Sequence, residues 1–197
     1  MSFYMPDRVE CNGEEFKLFL SKQEIDKRLM ELGEELDTDF EGKRPIFIGI
    51  LNGSFIFLAD LMRHVSIPAE VDFLKLSSYG DAKVSSGKVT ERKELDADIE
   101  GRHIILVEDI IDTGLSMSYM INRIKDKKPA SVTVVTLLHK YEATRYDVQI
   151  DYVGFRIPDL FVLGYGLDYA QEGRNLAQIY ILDEEANKAK NEPEDHA

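Results

Sequence analysis

The chain has 197 residues, 44% of them hydrophobic, and its 24 basic and 37 acidic side chains give a formal net charge of −13. This length and composition indicate one ordinary globular domain with a sizeable core. The acidic balance argues against general nucleic-acid binding and against anionic membrane surfaces. A polyanionic small molecule stays possible, because backbone amides, a few local bases and Mg²⁺ can bind it in an acidic protein.

Cysteine and histidine usage excludes the commoner zinc and disulfide classes. Cys11 is the only cysteine, so we expect no intramolecular disulfide and no cysteine-based zinc site. The four histidines show no metal-ligand spacing. Nothing near the start indicates a signal peptide, and no apolar run approaches membrane-spanning length. We therefore expect a cytoplasmic protein that contacts no membrane.

The first predicted elements are structural. A turn signal at Asn12-Gly13 lies between two possible short strands. Ser21 then opens a helix, and Glu24 completes a capping box. The buried face of this helix is predicted from an apolar stripe at helical spacing: Ile25, Leu29, Leu32 and Leu36.

A buried strand at Ile46–Leu51 leads through Asn52-Gly53-Ser54 into a helix predicted over 55–63, with Ser54 as its N-cap. Strand, glycine-containing turn and helix are a weak anion-binding signal, and a tight turn without a ligand is the alternative. A third strand, 71–76, runs into the polar segment 77–87, whose composition is typical of a surface loop.

The most informative stretch is 104–117. Its apolar, β-branched start predicts a fully buried strand of a parallel sheet, which ends in the adjacent carboxylates Glu108 and Asp109. Residues 112–116 (DTGLS) follow as a hydroxyl-rich turn before a helical pattern. The amides of such a turn, with the positive end of the helix, form an anion site suited to a phosphate. Because nearby acids would repel a phosphate, we expect a ligand that also brings hydroxyl groups and a divalent cation.

Taken alone, Asp112-Thr113-Gly114 is equally an Asx-turn that caps a helix. The ten residues 107–116 (VEDIIDTGLS), however, resemble the phosphoribosyl-pyrophosphate (PRPP) signature of type I phosphoribosyltransferases, in particular the hypoxanthine-guanine branch. The resemblance implies that family's α/β fold, a central and mostly parallel sheet flanked by helices with a small hood and a flexible lid loop. We expect residues 1–182 to form this phosphoribosyltransferase domain, and 183–197 to be an acidic tail, a frayed helix or disordered, without chemistry.

The same resemblance assigns the PRPP site. Its ribose-phosphate residues would be Glu108, Asp109, Asp112, Thr113, Gly114, Leu115 and Ser116. Asp112 would also be catalytic, taking or sharing the proton of purine N7. Pyrophosphate would bind at Leu51, Asn52 and Gly53, in a loop that often contains a cis peptide in the family, and at Arg174. Relatives often carry Lys or Arg at the position of Asn52, so we expect no charge from that side chain; Arg174 as a plain surface charge is the alternative.

Four further features follow from the resemblance. Ser78-Tyr79 matches the dipeptide of the family's lid. Lys140, after the strand 131–138, would donate to the exocyclic O6 of a 6-oxopurine, with a solvated strand-end charge as the alternative. Tyr152 would stack on the purine, or else be a core aromatic, and Val153 would offer backbone groups to the base. Mg²⁺ would be held at Glu108 and Asp109, with a second ion at Asp159.

The implied function is purine salvage. An enzyme of this family transfers the 5-phosphoribosyl group from PRPP to hypoxanthine, and to guanine, giving IMP or GMP and pyrophosphate. We expect a homodimer or homotetramer with neither nucleic-acid nor membrane partners.

Two rival functions remain open. A PRPP-sensing or RNA-binding protein without catalysis is disfavoured by the net charge and by the retained Ser78-Tyr79, Lys140 and Asp159. A member of the same fold using xanthine or a pyrimidine is the other rival. Lys140 with Tyr152-Val153 favours a 6-oxopurine, but it separates the individual 6-oxopurines poorly.

Overall fold

The computed structural model describes residues 5–78, 89–93 and 95–191; for 76–78, 89–93 and 191 it describes the backbone alone. Its elements in chain order are β1 (Arg8–Cys11), β2 (Glu14–Leu20), α1 (Lys22–Asp39), β3 (Ile46–Leu51), α2 (Phe55–Leu61), β4 (Glu70–Ser78), β5 (Val89–Lys93), β6 (His103–Ile111), α3 (Leu115–Lys125), β7 (Ser131–Lys140), β8 (Tyr152–Ile157), β9 (Val162–Leu163), β10 (Ile179–Leu182) and α4 (Glu184–Asn191). Among the described residues, no helix combines the length and the apolar character needed to span a membrane.

The chain divides into two compact units. Residues 27–159 form one unit, and both chain ends, 1–26 and 160–197, form the other. The larger unit contains a six-stranded sheet in the order β5-β4-β3-β6-β7-β8. Five neighbouring strands, from β4 to β8, are parallel, and β5 is antiparallel to β4. This is the α/β architecture with a central, mostly parallel sheet that the sequence predicts.

Alternate residues of the central strands face opposite sides of this sheet. Ile46, Ile48 and Ile50 of β3 belong to a buried cluster with Met117 and Met120 of α3. On the other side, a Cβ at Gly49 would lie 2.7 Å from the Leu58 side chain of α2, so only glycine lets α2 pack this closely. Helices therefore cover both faces, which explains why the parallel strands are apolar throughout.

Helix α1 begins as predicted. The Ser21 amide and hydroxyl both contact the Glu24 carboxylate, at 2.8 and 2.6 Å, and the Glu24 amide donates back to the Ser21 hydroxyl at 3.3 Å. The predicted stripe is fully buried, as the structure leaves none of its side chains exposed: Ile25, Leu29, Leu32 and Leu36. Burying each such side chain contributes on the order of 1.5–3 kcal/mol, so the stripe is a major source of stability for α1.

Several predicted boundaries were wrong. Helix α2 ends at Leu61 rather than at residue 63, and Ser54 makes no side-chain cap. The buried Ser54 hydroxyl instead donates to the Ile50 carbonyl at 2.7 Å, because the chain turns back on its own strand there. Strand β6 continues to Ile111, so the acidic pair lies inside the strand rather than at its end. Helix α3 begins at Leu115, inside the turn predicted over 112–116.

The smaller unit has its own sheet and the C-terminal helix. Four strands pair antiparallel in the order β1-β2-β10-β9. Glu184–Asn191 forms α4, so this part of the predicted tail is helical; residues 192–197 lie outside the described part of the chain.

Candidate active site

The strand order of the larger unit places a crevice between β3 and β6. From β3 the chain continues outward to β4, and from β6 it continues to the other side through β7 and β8. The carboxyl ends of β3 and β6 are therefore a topological switch point, where α/β proteins bind ligands. Pairing between the two strands extends to Gly49 and Val107, whereas β6 continues beside β7 as far as Ile111. The crevice consequently opens beyond Val107, at the acidic pair.

The turn after β6 has the geometry of an anion cradle. Gly114 has φ +84°, a left-handed conformation that favours glycine, and α3 begins at the next residue. The Thr113 hydroxyl accepts the Leu115 amide at 3.4 Å, and the side chains of Asp112, Thr113 and Ser116 are exposed. Residues 108–117 line a cavity of about 170 Å³, several times the roughly 30 Å³ of one liquid water. The cavity has room for a phosphate-sized group.

The segment after β7 holds this turn in place by hydrogen bonds to its backbone carbonyls. The amides of Arg145 and Tyr146 both donate to the Thr113 carbonyl, at 3.0 and 3.1 Å. The Thr144 hydroxyl lies 3.0 Å from the Asp112 carbonyl. These contacts satisfy backbone carbonyls that the tight turn leaves free and so pre-organise the cradle. The sequence carries no signal for them, since the partners are about thirty residues apart.

The two acids of β6 interact with each other and with the β3 loop. Burial, followed by the charge of Asp109 and a hydrogen bond with it, raises the pKa of Glu108 well above its usual value. A Cβ at Gly53 would lie only 1.7 Å from Asp109 Oδ2. The backbone at Gly53 therefore lies directly against the Asp109 carboxylate, which brings the predicted pyrophosphate loop and the predicted ribose residues together.

This pair suits a divalent cation. Two adjacent carboxyl groups that favour sharing a proton supply the hard oxygen ligands that Mg²⁺ prefers, and Mg²⁺ commonly binds through one or two carboxylates while keeping several waters. Among the described residues, no cluster of three or more His, Cys, Asp or Glu could hold a metal. The remaining ligands would therefore come from substrate oxygens and water.

The β3 loop agrees with the resemblance and adds a base. The peptide bond between Leu51 and Asn52 is cis, as the resemblance leads us to expect. Lys75, which is paired with Leu51 across β3 and β4, donates from Nζ to Asn52 Oδ1 at 3.0 Å. A cation therefore lies at this loop although residue 52 is uncharged. Sequence reasoning missed Lys75, whose signal was a lysine near the carboxyl end of a parallel strand.

Lys140 lies between two predicted functional acids. Its side chain is only 11% exposed, and its ammonium is 2.9 Å from Asp159 Oδ1 and 3.7 Å from Asp112 Oδ2. It is therefore not a freely solvated strand-end charge. The predicted catalytic carboxylate, the predicted purine donor and Asp159 are brought together, while Asp159 pairs with the lysine rather than with Glu108 and Asp109.

Tyr152 is half-buried at the start of β8, the edge strand of the sheet. Its hydroxyl donates to the Asp39 carboxylate of α1. Burial, and then this hydrogen bond, raise the pKa of the Tyr152 phenol, so the hydroxyl stays protonated at neutral pH. The sequence predicted the aromatic ring and gave no indication of its partner.

Two predicted groups belong to other parts of the chain. Arg174 belongs to the smaller unit, where its guanidinium contacts the Asp168 carboxylate at 2.6 Å and the Gly166 carbonyl at 2.8 Å. Ser78 ends β4 but its side chain is not described, and Tyr79 lies outside the described residues. The lid prediction therefore remains one from the sequence.

A switch-point crevice with a phosphate cradle and an acidic pair defines the class of phosphoribosyltransferases. In agreement, the family model described as phosphoribosyl transferase domain matches residues 18–170, a range that includes the whole six-stranded sheet.

The relatives narrow this class. The chain is 46% identical over 166 residues to the hypoxanthine-guanine phosphoribosyltransferase of Bacillus subtilis, covering 84% of this chain and 92% of the relative. It is 41% identical over 176 residues to the hypoxanthine-guanine phosphoribosyltransferase of Aquifex aeolicus, covering 89% of this chain and 99% of the relative. A crystal structure of a Bacillus anthracis hypoxanthine-guanine phosphoribosyltransferase superposes with a TM-score of 0.81 at 39% identity, covering 84% of this chain and 98% of that one. The chain belongs to the hypoxanthine-guanine phosphoribosyltransferase family.

Proposed function

We propose that the crevice between β3 and β6 transfers the 5-phosphoribosyl group of PRPP to N9 of hypoxanthine or guanine. The bond between C1 of the ribose and the pyrophosphate oxygen breaks, a bond between C1 and N9 forms, and the products are IMP or GMP and pyrophosphate. The ring carbon gains positive charge as the leaving group departs. The site must therefore fix C1, accept negative charge on pyrophosphate and make N9 nucleophilic.

The 5′-phosphate would bind in the turn 112–116. Its ligands would be the amides of these residues and the hydroxyls of Thr113 and Ser116, which are exposed towards the cavity. The left-handed Gly114 and the start of α3 direct N–H groups to one point, as an anion requires. Fixing the phosphate fixes the distance of C1 from the incoming base, which is a large part of catalysis by positioning.

Glu108 and Asp109 would orient the ribose hydroxyls or the waters of Mg²⁺. When bound, Mg²⁺ would neutralise charge on the departing pyrophosphate. The backbone at Leu51, Asn52 and Gly53 would hold that pyrophosphate, and Gly53 lies against Asp109, where both groups can contact one ligand. Arg174 would contribute a fork of donors, and Asp159 would hold a second Mg²⁺ after exchanging its contact with Lys140.

The purine would lie between Lys140 and Tyr152-Val153. The Lys140 ammonium donates hydrogen bonds only, so it matches the O6 acceptor of a 6-oxopurine and mismatches the amino group of adenine. Asp112, 3.7 Å from this ammonium, would accept the N7 proton while the ring of Tyr152 stacks on the base.

The contact between Gly53 and Asp109 carries the proposal, because it brings the β3 loop, which the sequence assigned to pyrophosphate, against an acid of strand β6, which it assigned to ribose. The test is an assay of purified protein with PRPP and Mg²⁺, supplying hypoxanthine, guanine, xanthine, adenine and uracil in turn. We expect nucleotide and equimolar pyrophosphate from hypoxanthine and guanine. Turnover confined to xanthine or uracil would contradict the proposed substrate, and the lack of any nucleotide would contradict the proposed reaction.

Three further assignments are part of the proposal. The phosphoribosyltransferase domain comprises residues 1–182, and 183–197 takes no part in the chemistry. The protein acts in the cytoplasm as a homodimer or homotetramer. It has no nucleic-acid partner, which the net charge of −13 supports.

A further inference from the structure

Arg28 links helix α1 to the strand that would bind the purine. Its side chain is 23% exposed, and the guanidinium makes four contacts within the larger unit. Two are with backbone carbonyls of β8: NH2 donates to Val153 at 3.0 Å and Nε to Gly154 at 3.3 Å. The other two are with carboxylates of its own helix, Glu31 and Glu35, both at 3.0 Å from NH1.

Both carbonyls belong to the edge strand of the sheet. β8 is an edge strand, paired on one side with β7 through Thr136–Val153 and Leu138–Phe155. In a regular strand, successive carbonyls point to opposite edges, so one guanidinium reaching two of them indicates a local irregularity. The close approach at Gly154, where a Cβ would be 2.5 Å from the Leu137 carbonyl oxygen, accompanies this irregularity. Edge carbonyls need a partner, and Arg28 supplies it.

The same helix holds the neighbouring aromatic residue. Asp39 accepts the Tyr152 hydroxyl, and it follows Arg28 by eleven residues, about three helical turns, so both side chains leave one face of α1. Three consecutive residues of β8, 152–154, are thus tied to α1. Because the peptide group is planar, fixing the Val153 carbonyl also fixes the direction of the Gly154 amide.

We propose that Arg28 is a positioning residue for purine recognition. It holds the edge of β8 in the one conformation that presents the Val153 backbone and the Tyr152 ring to the base. This inference rests on the proposed function, since it takes Tyr152 and Val153 as purine-binding residues. In this role Arg28 would act through β8, without a contact of its own to the base or to PRPP.

Arginine is specific for this task. Its planar fork reaches two carbonyls on one side while two carboxylates hold the other, and it stays charged at any physiological pH. A lysine ammonium is a compact donor on a flexible stem and reaches fewer of these partners at once. The conservative substitution should therefore restore only part of the effect.

The experiment compares R28Q and R28K with R63Q in the full chain. Arg63, two residues after the end of α2, is also paired with an acid three residues away, Asp60, but its side chain is 77% exposed, and within the described part of the chain it contacts no strand edge. We measure KM for hypoxanthine and guanine, KM for PRPP, kcat and the melting temperature. We expect R28Q to raise both purine KM values about tenfold, R28K to raise them less, and the PRPP KM to change less than about twofold. R63Q should match the unaltered enzyme.

Should R28Q fail to fold, the same KM values are measured for R28K and E35Q. The E35Q substitution removes one carboxylate partner of Arg28 and leaves the two carbonyl partners in place. Folded variants with unchanged purine KM would overturn the inference, as would equal increases in the purine and PRPP KM values, which a general structural role produces. An unaltered chain that forms no purine nucleotide would overturn the proposed function and this inference with it.

Discussion

The carboxylate of Asp112 is half exposed and lies 3.7 Å from the Lys140 ammonium, close enough to interact with it yet open to a ligand. An isosteric amide keeps the shape and most hydrogen bonds of this side chain but cannot take a proton. We expect Asp112→Asn to lower kcat by about 10²–10⁴ while KM for PRPP changes much less, because the amides of the turn stay in place. Steady-state kinetics with saturating hypoxanthine measure both quantities.

Asp126→Asn is the matched control for this prediction. Asp126 lies exposed at the opposite end of α3, so the same chemical change there should leave kcat as it is. Unchanged turnover in Asp112→Asn would remove Asp112 from the proton-transfer step.

His139 gives a prediction for stability against pH. Burial, and then the charge of Arg156, lower the pKa of His139 from its usual 6.5. Its Nδ1 is buried and finds no hydrogen-bond partner within the described residues, while Nε2 is 3.0 Å from the Thr144 hydroxyl. Below pH 6.5 the imidazole of His139 is protonated more readily in the unfolded chain than in the folded chain. The neutral His139 therefore contributes to the free energy of unfolding above pH 6.5, and this contribution is lost on acidification.

We therefore expect the free energy of unfolding of the unaltered chain to fall more steeply than that of His139→Gln between pH 7.5 and about 5.5. Urea unfolding at several pH values measures the difference. His64→Gln, at an exposed histidine, is the control for the substitution itself. A His139→Gln curve parallel to that of the unaltered chain would show that His139 has the same proton affinity in both states.

At the scale of elements, the crevice depends on how closely β6 and the β3 loop approach. A Cβ at Gly53 would be 1.7 Å from Asp109 Oδ2, a separation that neither group tolerates. Gly53→Ala must therefore displace the loop or the carboxylate by about 1 Å, and misplacement of this size typically costs on the order of 100-fold in rate. We expect kcat/KM for PRPP to fall to this extent, as measured at saturating purine and Mg²⁺.

Gly42→Ala separates this effect from the general cost of replacing glycine. Gly42 has φ +73° with open space around its Cβ position, so the substitution there strains the backbone without touching the crevice. We expect it to lower the melting temperature and to leave kcat/KM intact. A fully active Gly53→Ala would contradict the close contact between the β3 loop and Asp109.

The elements that sequence patterns predicted well are those whose signal is local. β3 matches its predicted limits, and the Ser21–Glu24 capping box forms as expected, because apolar runs and caps depend on neighbouring residues. Ser54 failed as a cap because its hydroxyl points back to the preceding strand, where it donates to the Ile50 carbonyl, and accepts no amide of α2. Arg28 and Val153, 125 residues apart, meet only through tertiary packing, which no local pattern records.

For the whole molecule, the two chain ends form one unit and must find each other during folding. Asp183, directly after β10, is 2% exposed and pairs with Arg8 and Lys17 at 3.0 and 3.4 Å. One turn further, Asn187 of α4 binds both backbone groups of Glu15 in β2, accepting its amide at 2.8 Å and donating to its carbonyl at 3.0 Å. The C-terminal segment therefore completes the hydrogen bonding of an N-terminal strand.

Removing residues 183–197 should for this reason lower the melting temperature by at least about 5 °C, since several buried hydrogen bonds and ion pairs are lost together. Removing only 192–197 should change it by less than about 1 °C. We expect the kcat of both truncated chains, assayed well below their melting temperatures, to equal that of the full chain, because the acids, the turn and the purine segment all lie between residues 108 and 159.

Calorimetry and steady-state kinetics on the two truncations make the comparison, with Asn187→Ala as the point variant. A loss of kcat in the longer truncation at a temperature where it remains folded would show that the C-terminal segment takes part in the chemistry, and an unchanged melting temperature would show that its contacts with β2 add no stability.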